Sequence, residues 1–106
     1  MILSDATPRF DLGGGLVLCW ETITPERANQ LLAANTKNRP PKKDRIEKYA
    51  LLMQRGEWRP SVAVILIDVH GVLRNGQHRL MACVKAGVAF RSLVAFGYDD
   101  KRHVIR

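Results

Sequence analysis

Between Val62 and Ala86 the hydropathy of the chain changes its period within a few residues. Val62 to Ile67 is a continuous apolar run, Asp68 to Gly71 has turn composition, and Val72-Leu73 is apolar again. Leu80 to Ala86 then reads as a short helix closed by Gly87. A short apolar run bounded by turn residues is the pattern of a buried strand. The stretch Arg74-Asn75-Gly76-Gln77-His78-Arg79 therefore lies where a strand ends and a helix begins. Asn and Gly both tolerate the positive φ that such a turn often needs. The first amides of the helix have no intrahelical acceptor and carry the positive end of its dipole. With His78 and Arg79 in the first turn, these features describe an anion site, with phosphate the expected guest. An ordinary helix start with a solvated Arg79 accounts for the same residues, and local physics does not separate the two.

The rest of the chain reads as one small α/β domain. At 106 residues and 46% hydrophobic there is material for one core and no second domain. Met1 to Gly15, with its Gly13-Gly14-Gly15 run, reads as a loose lead-in, and the triple Gly lacks the strand and helix that a phosphate loop requires. Leu16 to Trp20 is a strand. Thr24-Pro25-Glu26 starts a helix, with Thr24 as its N-cap and Pro25 in its first turn. Asn35 to Pro41 is a polar loop restricted by Pro40-Pro41. Asp44 is the expected cap of the next helix, in which Ile46, Tyr49, Ala50 and Met53 form a core-facing stripe. Ser92 to Phe96 is the last strand, and residues 99–106 form a short basic tail. The spacing predicts a small mixed sheet, helices over 24–34, 42–55 and 77–86, and a domain spanning 16–98.

The net charge of +7 points to a polyanionic partner. Lys37, Arg39, Lys42, Lys43, Arg45 and Lys48 concentrate on one loop and the first turns of a helix, diluted by Asp44 and Glu47. That is the footprint of a nucleic-acid backbone site, or else a solvated helix face. Cys19 and Cys83 lie among apolar residues and read as buried free thiols. No apolar run reaches the length of a membrane span, and no secretion pattern opens the chain, so the expectation is a cytoplasmic protein. His70, Asn75 and His78 do not make a metal set, since a third ligand at fixed spacing is lacking. No nucleophile with an adjacent base, and no recognisable acid for phosphoryl transfer, can be assigned. Trp20 and Trp58 are candidates for base stacking, though a Trp beside a core strand is more often structural.

The string Asn75-Gly76-Gln77-His78-Arg79-Leu80 resembles the signature turn of the ParB/sulfiredoxin-like superfamily, which includes ParB partition proteins, sulfiredoxins and free-serine kinases. Asn38-Arg39-Pro40, the helix after it and Gly56-Glu57-Trp58 follow in the order seen in small ParB-like proteins of bacteriophages. The resemblance covers roughly residues 22–97. It departs from the motif at Asn75, where Asp is usual, and Gln77 stands where sulfiredoxins carry Cys. It implies a ParB/sulfiredoxin-like fold and a phage or mobile-element protein in a bacterial cytoplasm. It also implies a phosphate or nucleotide site formed by Asn75, Gly76, Gln77, His78 and Arg79, with Arg39 reaching toward it. The cofactor of such a site would be a nucleoside triphosphate with Mg²⁺, and the partners DNA or a nucleotide. Asn75 weakens the Mg²⁺ side of that expectation, because a neutral amide gives up the charge that a hard cation favours. The resulting expectation is a phosphate-binding module without catalysis. Two other classes stay open: a host-protein-binding inhibitor on a decayed ParB fold, and a nucleotide-using enzyme or nuclease.

Overall fold

Helix starts, glycine turns and one apolar sheet face build the molecule, seen in a computed structural model that describes residues 9–36, 38–59 and 63–103. Strands β1 (Arg9–Gly13), β2 (Leu16–Ile23), β3 (Val64–Asp68), β4 (Leu73–Asn75) and β5 (Phe90–Tyr98) form a five-stranded sheet in the order β1-β2-β5-β3-β4. Only β3 and β5 run parallel; the other neighbours are antiparallel. Three helices complete the fold: α1 (Pro25–Leu32), α2 (Lys43–Gln54) and α3 (Gln77–Ala86). The mixed sheet, the three helices and the α/β class agree with the sequence-based expectation.

Thr24 does cap α1: its Oγ accepts from the Arg27 amide at 3.1 Å, and Pro25 sits in the first turn. The expected Asp44 cap of α2 does not form. The N-cap is Lys42, without a side-chain bond, and Asp44 lies inside the first turn, accepting from the Arg45 amide. There its charge still favours the helix dipole. α3 ends at Gly87 in the left-handed conformation, its amide donating to Cys83 O at 2.9 Å.

All three helices pack on one face of the sheet. Ala28 and Leu31 of α1, Ala50 and Met53 of α2, and Leu80, Ala82 and Cys83 of α3 cluster with Ile23, Ile65, Ile67, Leu73, Phe90 and Val94. Burying a Leu or Ile side chain stabilises by about 1.5–3 kcal/mol, so this single cluster dominates folding. Trp58 joins it edge-on between Tyr49 and Phe90, with ring centroids 5.3 and 5.7 Å away, which makes it a core residue rather than a base platform. Both cysteines are free and buried, and burial raises the Cys83 thiol to about 11. Paired strand residues point to the same side, so Leu18, Ala95 and Leu66, with Phe10 outermost, form a row on the face opposite the helices.

The expectation of a loose lead-in fails at Arg9–Gly13, which pairs with β2. Gly14 and Gly15, with φ of 61° and 86°, supply the two positive angles of a tight hairpin. The glycines that seemed to forbid structure are what closes it. The start of the basic tail is tied back to the sheet. His103 Nδ1 accepts from the Asp99 amide at 3.0 Å, and its Nε2 lies 3.0 Å from Gly13 O. Residues 1–8 and 104–106, the outer parts of those two segments, lie outside the described residues.

Candidate functional site

The turn from β4 into α3 is set by Gly76. It is buried with φ +107°, and a Cβ there would lie 2.9 Å from Ile65 Cγ1 and 3.3 Å from Ile65 Cα. Glycine is thus required twice, for the backbone angle and for the close approach to β3. Gly76 is also the N-cap of α3, and no side chain caps the helix. Among the described residues the amides of Gln77, His78 and Arg79 find no partner within the protein. Asn75 is exposed and its side chain does not cap the helix.

The side chains of the motif divide the work. Gln77 is buried and bonded at both ends of its amide: its Oε1 accepts from Asn35 Nδ2 at 2.9 Å and its Nε2 donates to Arg39 O at 2.7 Å. These two bonds make its side chain a clasp that fixes Asn35 and Arg39 to the start of α3. His78 Nε2 accepts from the Lys42 amide at 2.9 Å. Burial, and then the charges of Arg45 and Lys42, hold its imidazole below the usual value, so it is a neutral acceptor. Arg79 donates from Nη1 to Ala63 O at 2.9 Å and from Nη2 to Val64 O at 3.1 Å, tying α3 to the start of β3. A guanidinium has five N–H donors, so three remain for a ligand. Arg74, the first residue of the motif, belongs elsewhere. It pairs with the buried Asp68 at 3.3 Å and with Asp100, and lies over the Tyr98 ring. Burial opposes ionisation of Asp68, but the Val72 and His70 amides and Arg74 outweigh it and keep its carboxyl below the usual range.

Around the start of α3 lies a cleft of about 720 Å³. Asn38, Arg39, Pro40, Lys42, Arg45 and Tyr49 line one side, and Ala63 with Asn75 through Arg79 the other. Four of these side chains are cationic and none is a carboxylate. Arg39, Lys42 and Arg45 make no ion pair with any described residue. The fold brings Arg39, which the resemblance has reaching toward the motif turn, together with Lys42, Arg45 and the α3 amides, a meeting that the sequence reading did not expect of Lys42 and Arg45. Lys43 and Lys48 are exposed on α2 but do not line the cleft, and Lys37 lies outside the described residues. Sequence reasoning missed Asn38 and Asn35 as builders. Asn38 Nδ2 donates to Leu73 O at 2.8 Å and to Asn35 Oδ1 at 2.6 Å, joining the loop to the edge of β4. A paired-asparagine spacing with no helical or strand period was the available signal, and it is a weak one.

The cleft suits an anion. It does not suit a protein-held Mg²⁺, which takes carboxylate and other hard oxygen ligands, because the lining supplies no carboxylate. Among the described residues no cluster of His, Cys, Asp and Glu is arranged to hold a metal ion, and no helix is long and apolar enough to cross a membrane. No protein-family model, curated protein or solved structure matches the chain.

Proposed function

We propose that this chain is a ParB/sulfiredoxin-like phosphate-binding module, acting in a bacterial cytoplasm, that takes the phosphates of a nucleotide or a nucleic-acid backbone. The observation that supports the reading is the un-neutralised cationic cleft set against three free α3 amides. Bringing Arg39, Lys42 and Arg45 together without a counter-charge costs electrostatic energy in the free protein, and an anion relieves it. Catalysis is not part of the proposal: the lining offers no carboxylate to act as base or to hold a metal, and His78 is occupied as an acceptor. Binding of a triphosphate is accordingly independent of Mg²⁺ except through the ligand's own chelation.

Titration with inorganic triphosphate, followed by amide NMR, tests this. The expected result is that Gly76 to Leu80 shift first and that Arg45→Glu weakens binding at least tenfold at low salt. Arg45 is the informative position because its side chain makes no bond with any described residue, whereas Arg79 also supports β3. Largest shifts outside the cleft, or affinity unchanged by Arg45→Glu, would refute the assignment. A duplex that binds with a log–log salt slope of about −0.9 per neutralised phosphate would identify backbone binding.

A further inference from the structure

The two edges of the sheet are treated differently, and among the described residues nothing covers the β1 edge apart from His103 at its Gly13 end. Every residue of β1 is exposed, and Phe10 is 50% accessible. At the opposite edge the Leu73 amide donates to Ala34 O and Leu73 O accepts from Asn38, so β4 is closed by the 34–38 loop. An edge strand with no strand partner on its outer side among the described residues is a template for another strand.

We propose that β1 is a homodimerisation edge, on which two copies of this chain pair antiparallel about a two-fold axis at Phe10. The charges select both the occupant and the register. Arg9 and Asp11 flank Phe10, and neither has an ion-pair partner among the described residues. With Phe10 opposite Phe10, Arg9 of each copy faces Asp11 of the other, so the complementary pair forms twice. Pairing that keeps both helical layers on one side of the joined sheet matches residues of like parity. Within that set, centring on Arg9 or on Asp11 places like charges opposite, which is unfavourable, while opposite charges and aromatic pairs across strands are favourable. A second copy satisfies these demands because the pairing patch is self-complementary, as a two-fold interface requires. The Phe10 rings then meet on the face opposite the helices, extending the apolar row of Leu18, Ala95 and Leu66 across the axis. The cationic clefts sit at the far ends of the joined sheet, so this inference does not depend on what they bind.

The register makes a sharp test. Directly opposed residues have Cα atoms about 4.5–5.5 Å apart, within the range of roughly 4.4–6.8 Å that a disulfide spans. Under mild oxidation Phe10→Cys should give a covalent dimer in high yield. Leu12→Cys should not, because Leu12 and its copy would be separated by four residues of offset, roughly 13 Å. Sedimentation velocity of the unmodified chain from micromolar to millimolar concentration should show a monomer–dimer equilibrium. Arg9→Glu, which breaks no bond with any described residue, should weaken association at least tenfold, and Arg9→Glu with Asp11→Lys should restore it. Amide NMR on each variant, with β2 and β5 shifts unchanged, shows that the sheet is intact. A monomer at every concentration, equal cross-linking at Leu12, or association indifferent to Arg9→Glu would each overturn the proposal.

Discussion

The β4 edge and the β1 edge of the sheet end in opposite ways. At β4 a loop is drawn in and fastened by side-chain bonds from Asn38 and Gln77, and the cleft forms where it meets α3. At β1 two glycines turn the chain back, and no further strand among the described residues lies beyond. The difference shows that a site here is made less by the residues that face it than by those that anchor its wall. Gln77 and Asn38 spend their polar groups on backbone and on Asn35, and by doing so they set Arg39, Lys42 and Arg45 against free helix amides.

If anchoring is what separates the edges, substitutions at the β4 end should cost most. Gly76→Ala should destabilise by about 3 kcal/mol, since it combines a strained positive φ with a contact against Ile65 that cannot relax freely. Urea denaturation measures it, and a change below about 1 kcal/mol would mean the turn is not rigid. Gln77→Leu should follow at about 2 kcal/mol, the range for polar groups left without partners. It should also weaken triphosphate binding, because it releases the loop that carries Arg39; unchanged affinity would show that the loop holds its place unaided.

Acid should act through His78. Its folded value is depressed, so the unfolded chain binds the proton more readily. Its contribution to stability is then fully present above about pH 6.5 and is lost as pH falls through the lower folded value. Denaturation midpoints between pH 7.5 and 5 should decline, and His78→Gln should flatten that decline. Added triphosphate should raise the His78 value by opposing the charges of Arg45 and Lys42, which a proton-detected titration would show.

Smallest should be Arg9→Ala at the open edge, within about 0.5 kcal/mol in a dilute sample, since β1 packs nothing there. Amide exchange gives the same contrast without mutation, with Leu73 protected and the outward amides of β1 exchanging fast.

Local chemistry by itself determined a good part of this protein. Thr24-Pro25 started α1, Gly87 stopped α3, and the Ile46-Tyr49-Ala50-Met53 stripe chose the face that α2 buries, because caps and periodicity act within a few residues. The Asn75-Gly76 turn and the unpaired amides that follow it were legible for the same reason. The tertiary structure decided the rest. Arg9–Gly13 became a strand only because β2 was there to pair with it; a polar five-residue strand has no stability alone. Asp44 lost the cap position through the geometry by which the 38–42 loop enters α2. The clasp role of Gln77 was not legible, because its partners Asn35 and Arg39 stand far from it along the chain. Such pairings depend on chain closure over long separations, which no local pattern records. The cleft belongs with them: the sequence held its cations and its free amides, and only folding set them facing one another.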